Sequence, residues 1–305
     1  MVRILIVVLA WPAIILIALF LTEWLTTGPE TPESDKPTIL RSGHPTYPSV
    51  GANALEAFTK LPDAERHAVR ENLESNLLTF DEWLEQIRQV DYQIVCLGED
   101  HEEATRRFLA RKFFPEIETD VLLLEATPTE MVAINKGLHR DKSRIALLDA
   151  DIAGVIRSAR EANPAVILGG IEETRRQQSA RYDQEGDASR DDSIVANFRS
   201  AFEPNHRHII LFGALHCSNR PDWLFERVRA LTPATADKTL NVRVMGDHQD
   251  GLLESFVLFL EGAGIERTDF VIDDTRALHP RIFEWFSLMR PQTLDRYQTL
   301  VVFRM

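Results

Sequence analysis

Only two cysteines occur among the 305 residues. Two cannot staple a domain of this size, so the fold must rest on a packed core. The plainer reading of Cys96 and Cys217 is a pair of small buried side chains at strand ends, with a bond between them as the alternative. Basic residues are also scarce: 34 Lys and Arg stand against 47 Asp and Glu, a formal charge of −13. That balance gives little long-range attraction for phosphate backbones and argues against nucleic acid as a partner. Missing too are a GxSxG nucleophile elbow, a Walker A loop, a GxGxxG fingerprint and an HExxH helix. Their absence removes the hydrolase, NTPase, dinucleotide and metalloprotease readings tied to those motifs. What remains has the make-up of a folded globular protein, with 44% apolar and 27% charged residues.

Residues Ile4 to Leu21 form eighteen positions without a charge, and Trp24 and Leu25 extend the apolar stretch past Glu23. At about 1.5 Å per helical residue this nearly spans a hydrocarbon core, with Trp11 and Trp24 placed to sit near the interfaces. The reading is an uncleaved single-pass transmembrane anchor over 1–26, with a cleaved signal peptide as the alternative. No cysteine lies near the end of the run, which excludes a lipoprotein anchor. Arg3 precedes the span whereas Glu23 and Glu30 follow it, so the weak positive-inside signal places the rest of the chain outside the cytoplasm. Residues 27–53, with Pro29, Pro32, Pro37, Pro45 and Pro48, read as a Pro-rich, semi-stiff linker.

From 54 to 305 short apolar runs alternate with helical patterning, as in DAERHAVRENLESNLL at 63–78. The runs fall at 93–98, 120–125, 165–171, 208–215, 241–246, 270–273 and 298–303. Continuous apolar strands separated by helix-length segments predict an α/β fold: a single domain with a mostly parallel central sheet flanked by helices on both faces. The last run reads as an edge or antiparallel strand, and residues 175–192 as a solvated loop or a cover over a site.

In open parallel sheets, ligands bind beyond the carboxyl ends of the strands. Each strand here delivers polar groups to that position: Gly98-Glu99-Asp100-His101, then Glu125, Glu172 with Glu173, His216, Asp247 with His248, and Asp273 with Asp274. Asp100, Glu102, Asp247 and Asp274 are explained as helix N-caps or first-turn acids. That account is weaker for Glu99 and His101, which share one side of an extended segment, and for Glu125, a carboxylate after four apolar residues. His216 occupies the equivalent position on its own strand. Glu99, His101, Glu125 and His216 suit two chemistries. In one, an imidazole held by a carboxylate activates water. In the other, the four residues hold a divalent metal such as zinc, manganese or iron. Arg106, Arg107, Arg111 and Lys112 read as a solvated helix face or an anion-binding edge.

LGEDH at 97–101, LLLEAT at 122–127, SRDDSIVANF at 189–198 and ILFGALH at 210–216 resemble, in that order, the motifs of the superfamily uniting erythromycin esterases, ChaN-type haem-binding proteins and Tiki-type metalloproteases. The resemblance runs from about Leu77 onward. It implies a cleft built by Glu99, His101, Glu125 and His216, with Arg190 and Asp191 orienting it. The function expected is a membrane-tethered hydrolase of an ester or amide in a small molecule or peptide. The rival expectation is a haem- or iron-binding protein without turnover, and a third is a scaffold that has lost its chemistry.

Overall fold

Thr79 decides where the first confidently patterned helix begins. Its hydroxyl accepts from the Glu82 backbone N–H at 3.2 Å while the Glu82 carboxylate accepts from the Thr79 backbone N–H at 2.7 Å. This capping box opens a helix that buries Phe80, Trp83, Leu84 and Ile87 along one stripe. The computed structural model describes residues 47–135, 150–182, 189–247, 251–266, 269–286 and 296–304. The expected membrane span at 1–26 lies outside them, and among the described residues no helix is long and apolar enough to cross a membrane.

The helices are α1 (Tyr47–Thr59), α2 (Asp63–Asn76), α3 (Phe80–Val90), α4 (Glu103–Phe108), α5 (Pro128–Asn135), α6 (Ala150–Ala162), α7 (Arg175–Tyr182), α8 (Arg190–Ala201), α9 (Leu224–Leu231), α10 (Gly251–Gly262) and α11 (Pro280–Trp285). The strands are β1 (Leu77–Thr79), β2 (Ile94–Glu99), β3 (Val121–Leu124), β4 (Ile167–Gly170), β5 (His208–Gly213), β6 (Thr239–Gly246), β7 (Phe270–Ile272) and β8 (Thr299–Phe303). They form one eight-stranded sheet in the order β1-β7-β8-β6-β2-β5-β3-β4. Neighbours from β8 to β4 pair in parallel, whereas β7 runs antiparallel to both β1 and β8. Val95, Leu97, Leu122, Leu124, Ile209 and Leu211 pack on one face with α3 and α6. Ile94, Val121, Leu123, Ile210 and Phe212 pack on the other with α8 and α9. Both faces are therefore covered, which is why the central strands read as unbroken apolar runs.

Four expectations need correction. The linker predicted to reach 53 gives way to α1 at Tyr47, with Pro48 in the first turn, where its missing N–H is harmless. Gly51 lets α1 approach α10, because a Cβ there would stand 2.3 Å from the Ser255 carbonyl oxygen. The final strand is not at an edge: β8 lies inside the sheet, between β7 and β6, while the antiparallel alternative holds for its pairing with β7. Within 175–192, residues 175–182 form α7, started by reciprocal Thr174–Gln177 bonds and burying no side chain, so it lacks an apolar stripe to announce it. Finally, Leu77 and Leu78, expected to continue a helix, form the short strand β1 against β7.

Candidate active site

β2, β5, β3 and β4 are neighbours in the sheet, so their carboxyl ends form one continuous rim. That rim holds Glu99 and His101, His216, Glu125, and Glu172. β7 runs the other way, which carries Asp273 and Asp274 to the opposite end of the sheet, against the expectation that they stand at the same end as the acids of the other strands. Asp274 caps a short turn there, accepting from the Arg276 N–H at 2.9 Å. Asp247 stays at the rim side but is buried against Arg304 at 2.6 Å. His248 lies outside the described residues.

Glu99 is the last residue of β2 and only 2% exposed. Its Oε1 accepts from Arg106 Nε at 3.0 Å and Nη2 at 2.8 Å. Arg106 is therefore a buried counter-ion on α4, not a solvated or anion-seeking residue, whereas Arg107, Arg111 and Lys112 face outward. Glu99 Oε1 also lies 3.0 Å from His101 Nδ1. The two meet for a reason other than extended alternation, because His101 has φ 59°. This left-handed conformation is uncommon for a residue with a Cβ, and the surrounding contacts must hold it. Gly98 serves close approach, not a turn: a Cβ would meet the Ala214 Cα at 3.0 Å and the Cys217 Cβ at 3.2 Å. Asp100, expected as a helix cap, pairs instead with Arg243 on β6.

His101 Nε2 faces Glu125 Oε2 at 3.5 Å. Glu125 in turn accepts from the Gly213 N–H at 2.8 Å and from Arg190 Nη2 at 2.6 Å. Gly213 leaves the room this requires, since a Cβ would lie 3.2 Å from His101 Nε2. Arg190, the first residue of α8, also binds Glu172 through Nε at 2.8 Å and contacts His216 Nε2 through Nη1 at 3.1 Å. His216 Nδ1 lies 2.6 Å from Asp191 Oδ1, with both residues buried. Hydrogen-bond logic assigns the proton of His216 to Nδ1, donated to Asp191, leaving Nε2 to accept from Arg190.

The four residues expected to form the cleft, together with Arg190 and Asp191, thus form one contiguous network running around the rim from α4 to α8. Arg106 and Glu172 complete it. One sequence signal for the two histidines went unused: Gly-x-x-His recurs at 98–101 and 213–216, on the paired strands β2 and β5. No comparable signal marks Arg106.

The hydrogen bond that His101 donates to Glu99 raises the His101 pKa above its ordinary value; burial and the Arg106 charge oppose this, and the carboxylates of Glu125 and Glu99 add to the rise. A raised folded-state pKa contributes stability fully below the unfolded value, and that contribution is lost as pH rises through the folded one. Urea denaturation should therefore find His101→Gln more destabilising at about pH 6 than at about pH 8. An equal difference at both values would contradict the assigned partners.

A divalent cation does not fit this donor set. Among the described residues no three His, Cys, Asp or Glu side chains converge as ligands. The two carboxylates nearest His101 already receive guanidinium N–H groups from Arg106 and Arg190. The cavity lined by Glu99, His101, Arg106, Glu125 and Ile152 measures about 10 Å³, room for about one water. Glu99 Oε2, buried and without a partner, is suited to hold such a molecule.

No protein-family model, curated protein or solved structure matches the chain.

Proposed function

We propose that the chain is a membrane-tethered hydrolase of an ester or amide, similar to the erythromycin esterase, ChaN and Tiki superfamily, with its folded domain outside the cytoplasm. The observation that carries this reading is the pair of carboxylate-backed imidazoles, Glu99–His101 and Asp191–His216, on the two sides of Glu125 and Arg190. A bond between Cys96 and Cys217 supports the compartment, because such bonds persist in oxidising surroundings.

The chemistry follows from the proton assignments. His216, its Nε2 lone pair freed once Arg190 turns from it to the substrate, takes a proton from water as the oxygen adds to the carbonyl carbon. Arg190 then stabilises the oxyanion. His101, whose raised pKa favours the imidazolium, protonates the leaving alcohol or amine from Nε2 as the tetrahedral intermediate collapses. Glu125 orients His101 through one oxygen and, before substrate enters, Arg190 through the other. Solvent then carries the proton from His216 back to His101, so that one water is consumed, one acid and one alcohol or amine are released, and both rings return to their starting states.

The test is a screen of the full chain in detergent against esters, amides and short peptides. Hydrolysis of a substrate found there should be abolished in both His101→Ala and His216→Ala. Unchanged turnover in either variant would remove that histidine's role, and in both would remove the reading.

A further inference from the structure

Cys96 and Cys217 are bonded, with Cα atoms 5.5 Å apart and a sequence separation of 121. Where the bond ends is more informative than its span. One end lies on β2, three residues before Glu99 and five before His101; the other immediately follows His216. The turn that carries His216, Ala214–Cys217, lies beyond the end of β5 and so has no sheet pairing to fix it. Apart from the contacts of the His216 ring itself with Asp191 and Arg190, its restraints include the bridge, a hydrogen bond from Tyr297 Oη to the Ala214 carbonyl at 2.7 Å, and one from Asn241 Nδ2 to the Cys217 carbonyl at 3.1 Å. Of these only the bridge is covalent, and only it ties this turn to the strand that presents Glu99 and His101.

We propose that Cys96 and Cys217 are positioning residues: their bridge sets the His216 ring against Asp191 and Arg190 and registers the two imidazole turns on each other. The proposal rests on the cleft reading above but not on any particular reaction. Both cysteines are fully buried, so the bridge is shielded from small thiols in the folded state and acts as a fixed clamp.

The experiment is a long-range ¹⁵N–¹H correlation of the histidine rings in the full chain. Native His216 should show a single neutral tautomer with the proton on Nδ1. In Cys96→Ala/Cys217→Ala that pattern should collapse to an average of the two tautomers. His208 serves as the internal control: it lies at the amino end of the same strand and accepts at Nε2 from the Glu203 N–H, so it should keep its own pattern. An unchanged His216 pattern beside an unchanged His208 would show that the bridge is a staple of the fold alone, and would overturn the proposal. Should the double variant lose the His208 pattern as well, Tyr297→Phe decides, since it removes one hydroxyl and keeps the bridge. Retention of the Nδ1–H tautomer there supports the clamp; its loss would assign the positioning to the Ala214 hydrogen bond instead. Because no substrate is needed, failure of the hydrolase reading and failure of the clamp are separate results.

Discussion

Arg106→Met should destabilise the folded domain by about 3–5 kcal/mol, the cost of removing one partner from a buried ion pair. Methionine roughly keeps the volume, so the loss isolates the charge. Glu99 would then remain 2% exposed with no guanidinium beside it, leaving the His101 ring as its side-chain partner among the described residues. The deficit should shrink in Arg106→Met/Glu99→Gln, which removes both charges at once. Urea denaturation at neutral pH measures both. A loss under about 1 kcal/mol would mean that Glu99 is served by other groups.

The second large effect is on rate. His101→Ala should lower kcat by about 10²–10⁴-fold, the usual contribution of a positioned general acid. Its mark is the pH profile. With His101 intact, the basic limb of kcat should fall as the imidazolium deprotonates, at a pH above the ordinary histidine value because Glu99 and Glu125 favour the charged ring. In the alanine variant that limb should vanish, leaving a low and flat rate. Loss of rate with the limb retained would assign it to another group and reduce His101 to a structural role. His101 also carries a left-handed backbone, so His101→Asn, which tolerates that conformation, separates loss of the ring from relaxation of the turn.

Much of this was legible in the sequence, for identifiable reasons. The interior strands could be read because they are buried on both faces and therefore unbroken in their apolar character, as Val121–Leu124 illustrates. The four cleft residues could be read because a carboxylate or imidazole directly after such a run has few harmless places to go. Strand order could not be read: nothing in the final apolar run reveals that it sits between β6 and β7. The direction of β7 could not be read either, and this displaced Asp273 and Asp274 to the wrong end. Arg106 was ambiguous because the side a helical arginine faces depends on how the helix is rotated against the sheet. Glu103–Phe108 is short and passes into a π-turn at Leu109–Phe113, which blurs the 3.6-residue period. α7 left no trace because it buries nothing.

The interior place of β8 bears on how the chain is made. Translation delivers this segment after every other strand of the sheet, yet β6 and β7 have no lateral neighbour in common until it inserts. A nascent or interrupted chain therefore displays two open flanks ready to template foreign strands. Closing them requires pairing partners more than fifty residues apart along β6 and β8, a non-local step of the kind that slows acquisition of the native state. Quality control during biogenesis would meet this protein as an unfinished sheet for longer than its mostly local helices suggest.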